Sequence, residues 1–327
     1  MDMTTCPPPD WIPLKLFEDS GQAACRWLYI GDKRFTQPFF SDTIQSCRSL
    51  PQNSYEDPPV CPLQRLPEWS NGLESVEPGL FIFHISRCGS TLISQLLSID
   101  PKNIVLSEAP LLDQILRLPY HPLLANGYEH TEIYFDAVLR FYGRKRTGLE
   151  KKLIVKTDSW HLMFYHQLRR MYPHTPFVVI IRSPDEVIRS QHKVRGMHSV
   201  PGLIEPHLLG LKEDDFSHDF DHYMATVLER YFSAILAMQH DPLCRVLDYN
   251  KGMELIMQYV LQDAHIQPSS EDDEKMKERL RYHSKSPNEL FAGEPSMPAA
   301  PAYMSHCFEL YRQLGGTMRE PHLLQPE

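Results

Sequence analysis

The chain has no apolar run approaching the roughly 18 residues that a membrane-spanning helix requires, and Met1 to Pro9 is polar and proline-rich with no signal-peptide core. The expectation is a cytoplasmic protein with no membrane span. There is no C-x-x-C pair among Cys6, Cys25, Cys47, Cys61, Cys88, Cys244 and Cys307, which argues against a zinc ribbon or a dithiol redox motif. Their odd number and wide scatter read as reduced thiols. His198, His207, His218 and His222 crowd one stretch but lack a metal-ligand spacing with a partner carboxylate, so they read as loop histidines and no metal is expected. Positive charge is also short: 33 Lys and Arg stand against 42 Asp and Glu, a formal charge of −9. Nucleic-acid binding needs phosphates neutralised over a broad surface, so it is not expected here. An anionic ligand would need a local basic pocket instead. The chain shows no internal repeat.

What is present is ordinary globular composition, with 42% hydrophobic and 23% charged residues over 327 positions. Residues 1–78 are dense in proline and weak in helical periodicity, which marks an N-terminal appendage of unknown role. Within it, Arg26 to Ile30 followed by Gly31-Asp32 reads as a strand and turn, and the aromatics of Phe35 to Ile44 either pack on the main domain or line a pocket. From Gly79 to residue 327 the pattern alternates between strands and helices, the mark of an α/β domain with a parallel sheet. Strands are expected at Leu80 to Ile85, Asn103 to Leu106, Lys152 to Val155, Phe177 to Ile181 and Arg245 to Leu247. Helices are expected near 91–98, 109–118, 131–142, 159–171, 184–194 and 303–314. Met224, Val227, Leu228, Tyr231, Ile235 and Met238 fall at helical spacing and predict a long amphipathic helix on the sheet. Residues 268–278 are highly charged and read as mobile.

Two segments carry chemistry. In His84-Ile-Ser-Arg-Cys-Gly-Ser-Thr-Leu, a buried strand runs through a short polar turn into a helix. Unpaired N–H groups at a helix start, the helix dipole, a glycine that allows close approach and two hydroxyls make an anion cradle. Plain capping of the helix by Ser90 is the alternative. The loop lacks the first glycine and the lysine of GxxxxGK(S/T), so phosphate is expected without ATP–magnesium chemistry. In Phe177-Val-Val-Ile-Ile-Arg-Ser-Pro-Asp-Glu-Val-Ile-Arg-Ser, Arg182 closes a second strand, and Ser190 follows two turns along the next helix.

Together these segments resemble the sulfotransferase family, over about residues 79 to 290. The resemblance is closest to the branch holding tyrosylprotein sulfotransferases and many bacterial relatives, in which the loop begins with Arg. It implies a P-loop-like, three-layer α/β fold and the donor 3′-phosphoadenosine-5′-phosphosulfate (PAPS), with 3′-phosphoadenosine-5′-phosphate (PAP) as product and no metal required. By position, Arg87, Cys88, Gly89, Ser90 and Thr91 would hold the 5′-phosphosulfate, and Arg182 and Ser190 the 3′-phosphate. Glu108, in Ser107-Glu108-Ala-Pro, matches the branch's general base, with His84 or His161 as its substitute. Lys156 and Arg87 would stabilise charge on the bridging oxygen. Arg281-Tyr-His-Ser-Lys-Ser resembles the late loop over the donor, which adds Ser284 and Lys285.

Each assignment has a plainer counterpart. Ser107 and Glu108 could simply open a helix, Lys156 could be a surface lysine, and 281–286 could be a polar linker. A small-molecule kinase and a non-catalytic phosphonucleotide-binding module are the competing functions. The acceptor, a small molecule or a peptide, is not legible, although Tyr120, His121, Tyr128 and Tyr134 and the loops 119–130 and 196–215 are where specificity would reside. Oligomeric state is not legible either.

Overall fold

The computed structural model describes residues 5–54, 58–121, 131–212, 219–282 and 301–316. The chain opens with an antiparallel sheet of β1 (Trp11–Asp19), β2 (Gln22–Tyr29) and β3 (Val60–Pro62), in the order β1-β2-β3. The nine-residue β1 carries no clean alternation of apolar and polar residues and was not expected from the sequence. Its partner β2 starts four residues earlier than the predicted strand. The hairpin turns at Ser20 (φ 53°) and Gly21 (φ 80°), the two successive left-handed residues that a tight two-residue turn demands. Helices α1 (Phe40–Cys47) and α2 (Arg65–Ser70) complete this region.

Five parallel strands form the main sheet: β4 (Pro78–His84), β5 (Asn103–Ser107), β6 (Lys152–Lys156), β7 (Phe177–Ile181) and β8 (Cys244–Asp248). Their order is β5-β6-β4-β7-β8. All five lie where the sequence predicts them. Leu80, Phe81, Ile82 and Phe83 are wholly buried, as is the whole of β7, because strands covered on both faces must be apolar throughout.

Helices flank the sheet: α3 (Ser90–Leu97), α4 (Pro110–Leu116), α5 (Glu132–Tyr142), α6 (Tyr165–Met171), α7 (Pro184–Lys193), α8 (Phe220–Met238), α9 (Met253–Asp263), α10 (Ser270–Arg279) and α11 (Ser305–Gln313). The helix expected over 159–171 begins as a 3-10 turn, Ser159–Phe164, before α6. All six apolar positions that predict α8 are buried. The segment read as mobile, 268–278, is instead mostly the helix α10. Ser269 caps it by accepting from the Asp272 N–H at 3.1 Å, and three acidic residues occupy its first turn. Lys275–Glu271 and Lys277–Asp273 pair one turn apart, and Arg279 reaches Gln95 of α3 at 2.7 Å. Charge at helical spacing organises this stretch rather than loosening it.

The first connection from β4 runs outward to β5, while β7 connects the other way to β8, so the direction of winding reverses between the adjacent strands β4 and β7. A crevice forms at the carboxyl ends of strands at such a reversal. The strand registers place His84 beside Ile180, Ser107 beside Lys156 and Ile181 beside Asp248, so the candidate residues emerge along one edge.

The N-terminal sheet shares its apolar core with the main body. Trp27 meets Phe141 of α5 edge-on at 5.0 Å, Phe40 packs on Phe35 at 5.0 Å and on Tyr142 at 5.1 Å, and the Tyr142 hydroxyl donates to the Pro13 carbonyl at 2.9 Å. The aromatics of 35–44 therefore divide their work: Phe35 and Phe40 are core, while Phe39 lines the main cavity. Phe40→Ala is expected to lower unfolding free energy by about 3–5 kcal/mol, read by urea denaturation, because it removes a buried ring and leaves a void. A loss under ~1 kcal/mol would show that the two sheets are not packed as one core.

Candidate active site

The strand ends meet at a cavity of about 930 Å³. That is the size of a cofactor-class pocket. Its walls include Arg87 to Thr91 after β4, Glu108 after β5, Asp158 to Trp160 after β6, Arg182 and Ser190 from β7 and α7, and Tyr249 and Lys251 to Leu255 after β8. The predicted cradle is thus brought together with the predicted Arg182 and Ser190. The single most informative contact is from Arg182 Nη1 to the Arg87 carbonyl at 2.7 Å, which ties the end of β7 to the loop after β4. Arg182 is 5% exposed, with Nε on Glu186 at 3.2 Å and its guanidinium over the Tyr249 ring at 4.7 Å.

The loop's backbone is unusual. Ser86 (φ 73°) and Arg87 (φ 52°) are consecutive left-handed residues without being glycine, and Gly89 (φ 78°) follows. Such conformations cost about 1–3 kcal/mol each and persist where the surroundings fix them. Gly89 is also required by space: a Cβ there would lie 2.6 Å from Met253 Cε and 2.7 Å from Tyr249 Cε2. Gly89 itself is the N-cap of α3, with no side chain to satisfy the helix start, so Ser90 is the first helical residue and not its cap. Ser90 and Thr91 line the cavity beside the N–H groups that open the helix. Arg87 crosses the loop to donate to the Val194 carbonyl.

A second cluster sits at the ends of β5 and β6. The Lys156 side chain is fully buried and does not line the cavity, so it is not a surface lysine; its Nζ is paired with Glu108 Oε1. Glu108 lies beyond β5 in a left-handed conformation (φ 55°), and its N–H donates to the Lys156 carbonyl at 2.9 Å. It precedes α4, whose N-cap is Ala109, so helix opening does not account for its carboxylate. Burial opposes charge on Glu108, but the Lys156 ammonium and the His84 hydrogen bond outweigh it and hold this carboxyl well below the usual range.

His84 is buried and neutral at pH 7, because burial and the Lys156 charge both push its pKa down. Its tautomer follows from its partners. The Ser86 N–H donates to Nδ1 at 3.1 Å, so the proton sits on Nε2, which donates to the Thr157 carbonyl at 2.9 Å and faces Glu108 Oε1 at 3.3 Å. His84 therefore positions Glu108 and has no free nitrogen with which to act as a substitute base. His161 is excluded from that role by placement: it is 2% exposed, lies outside the cavity wall and is spent on Asp113 at 3.0 Å.

Other expectations fall differently. His198 is a buried cavity-wall residue, not a loop histidine in solvent, and burial, with the nearby His84 and Arg87, pushes its pKa down to about 3. It bridges Tyr231 (3.1 Å) and Gln191 (3.2 Å), and Gln191 in turn donates to Ser86 Oγ at 3.2 Å, bracing the loop from behind. His207 packs on Tyr120 and His222 stacks on Tyr303. Tyr120, His121 and Tyr134 do not line the cavity, Tyr134 being core. Tyr128, His218, Ser284 and Lys285 lie outside the described residues, although Leu280 and Tyr282, just before the last two, reach the cavity wall.

The sequence reading missed Asp158, Trp160, Arg195 and Tyr249, all of which line the cavity. Asp158 and Tyr249 stand just past the ends of β6 and β8, so the rule that led to Lys156 could have found them. Arg195, just past α7, leaves no local signal, and Phe39 is one of the aromatics of 35–44 for which pocket lining was one of two expectations. One Arg195 nitrogen, Nη1, is buried without a hydrogen-bond partner, while Nη2 holds Asp221 at 3.0 Å.

No family model and no curated protein matches the sequence. The chain is similar in structure to solved sulfotransferases. These include the sulfotransferase domain from the curacin biosynthetic pathway, at 15% identity over 75% of this chain and 100% of that one, with TM-score 0.45. A sulfotransferase from Alicyclobacillus acidocaldarius is 15% identical over 74% of this chain and 98% of that one, with TM-score 0.43. The sulfotransferase STF9 from Mycobacterium avium is 15% identical over 84% of this chain and 82% of that one, with TM-score 0.47. What the cavity can bind is read from its own side chains.

Because the Glu108 carboxyl has a lower pKa folded than unfolded, its pairing stabilises the protein above about pH 4.5 and ceases to do so as pH falls. Glu108→Gln should therefore cost about 3 kcal/mol at pH 7, by leaving the buried Lys156 charge unpaired, and the gap from wild type should narrow between pH 5 and 3 in denaturant titrations. A gap that stays constant with pH would contradict the ion pair.

Proposed function

We propose that this protein is a sulfotransferase that moves a sulfuryl group from PAPS to an acceptor hydroxyl or amine. The observation that carries this reading is the joining of the Arg87 loop to Arg182, with Ser190 two turns along α7, in one cavity that also contains Glu108. The donor set fits a nucleotide with an anionic group at each end. Arg87, Arg182, Arg195 and Lys251 give the cavity a cationic wall in a chain of net charge −9, Gly89 leaves room where any side chain would collide, and the buried Arg195 Nη1 has a donor to spare.

In this reading Arg87, Gly89, Ser90 and Thr91 hold the 5′-phosphosulfate by N–H and hydroxyl donors at the start of α3, and the Cys88 backbone completes the turn. Arg182 and Ser190 hold the 3′-phosphate. PAPS supplies an activated sulfuryl group, and no metal is needed for the displacement. Arg87 on the cavity wall stabilises charge on the leaving oxygen, and Lys156, buried behind Glu108, adds its positive field to that work, a kind of contribution worth about 10²–10³ in rate. Glu108 lines the acceptor side of the cavity as one half of a fixed ion pair, its Oε1 staying with Lys156 and His84. Ser284 and Lys285 belong to the proposed donor site by resemblance alone.

Calorimetry with PAP tests the donor site. Wild type is expected to bind at micromolar concentration, Arg182→Ala to bind about 100-fold more weakly or worse, and Ser190→Ala, which leaves the Arg182–Arg87 link in place, about 10-fold more weakly. Wild-type protein that does not bind PAP would overturn the reading.

A further inference from the structure

The cavity contains a second carboxylate beside Glu108. Asp158 stands two residues past Lys156, and Lys156 is in register with Ser107, the residue before Glu108. The two acids thus leave neighbouring strand ends and face the same cavity. Their surroundings differ. Glu108 has one oxygen committed to both a buried ammonium and a buried imidazole. Asp158 has no such cation: the nearest is the His161 ring, 3.8 Å from Oδ2, and that ring is engaged elsewhere. The Asp158 N–H donates to His161 Nδ1 at 3.3 Å, so the His161 proton lies on Nε2 and goes to Asp113 Oδ1 at 3.0 Å. Asp113 is held in addition by Arg117 at 3.0 Å and by the Trp160 indole at 2.5 Å.

We propose, resting on the sulfuryl-transfer reading, that Asp158 is the group that takes the proton from the acceptor hydroxyl, while Glu108 and Lys156 work beside it as a fixed ion pair. The acceptor oxygen bonds to sulfur as the bond from sulfur to the 5′-phosphate oxygen breaks. That phosphate oxygen keeps the electron pair, facing Arg87, and the acceptor proton passes to the Asp158 carboxylate, which releases it to water. A base works best when its pKa lies near the working pH, and paired acids in one site divide their roles when their surroundings push them apart. Burial pushes Asp158 up to about 7, with Glu108 and Asp113 adding to the rise and His161 and Lys156 opposing it. Tyr231 of α8 lies within electrostatic reach of Asp158 and stays protonated, because burial pushes that phenol well up. Glu108, held ionised by its cation, is the weaker base of the two.

The test follows PAP formation from PAPS between pH 5 and 9, with 2-naphthol, 1-pentanol and tyrosine methyl ester offered together and water counted as an acceptor. Wild type should show a rate that rises with pH and levels off past an inflection near 7. Asp158→Asn should lose the rising limb and about 10²-fold or more in rate while still binding PAP, and Asp158→Glu should restore the limb. Glu108→Gln should keep the limb but shift it to lower pH, because removing that negative charge makes the Asp158 proton easier to lose. An unchanged limb in Asp158→Asn overturns the proposal. If wild type binds PAP but forms none from PAPS, carbon-13 NMR of aspartate-labelled full-length protein decides: a carboxyl that titrates near 7 and is missing in Asp158→Asn supports it, and no such carboxyl overturns it. Failure to bind PAP at all falls on the sulfotransferase reading instead.

Discussion

Everything in the candidate site depends on the parallel register of β4 with the strands on either side of it. Because β6 and β7 both run alongside β4 in the same direction, the residues that follow β4, β5, β6 and β7 all emerge at one edge. Parallel strands buried on both faces must be apolar along most of their length, so the site's polar chemistry is confined to their last residues and those just beyond. Those residues are His84, Ser86 and Arg87, Ser107 and Glu108, Lys156, Thr157 and Asp158, and Arg182. The reversal of winding between β4 and β7 opens the crevice between the two ends that carry the arginines, and the Arg182 contact with the Arg87 carbonyl then fixes the width of that crevice.

The strain in the site and its electrostatics have one origin. Ser86, Arg87 and Glu108 all take left-handed backbone conformations: Arg87 and Glu108 are each fixed by a partner on another strand end, Arg182 and Lys156, and Ser86 by His84 of its own strand and Gln191 of α7. The network is satisfied internally, which lets a buried lysine, a buried histidine and a nearly buried arginine coexist. It also sorts the acids. Glu108 is held ionised by its contact with Lys156, while burial pushes the Asp158 carboxyl up to about 7. A chain with an excess of acidic residues nevertheless lines this cavity with Arg87, Arg182, Arg195 and Lys251.

Much of this was legible in the sequence because buried parallel strands announce themselves. Leu80 to Ile85 and Phe177 to Ile181 can be little else, and each strand end carried a residue out of keeping with its strand: Arg87, Lys156, Arg182. Of the N-terminal sheet only the end of β2 was legible, since β1 and β2 are partly exposed and mix polar with apolar residues without strict alternation. The helix α10 was misread because its charge density was taken for disorder, whereas its cap and its pairs at i and i+4 are a helical pattern. Arg195 reaches the cavity through tertiary structure alone. The tautomer of His84 and the divergence of Glu108 and Asp158 depend on distances that no spacing rule encodes.

The central claim is that one pocket recognises both ends of a 3′-phosphorylated, 5′-phosphosulfated nucleotide through separate strand ends. The most direct measurement compares wild-type affinity for PAP, adenosine 5′-monophosphate and magnesium ATP. Binding of PAP at least about 100-fold tighter than the monophosphate, with no gain for magnesium ATP, is the predicted result, because only PAP carries the 3′-phosphate that Arg182 and Ser190 are proposed to hold. Equal affinity for PAP and the monophosphate, or a preference for magnesium ATP, would contradict it.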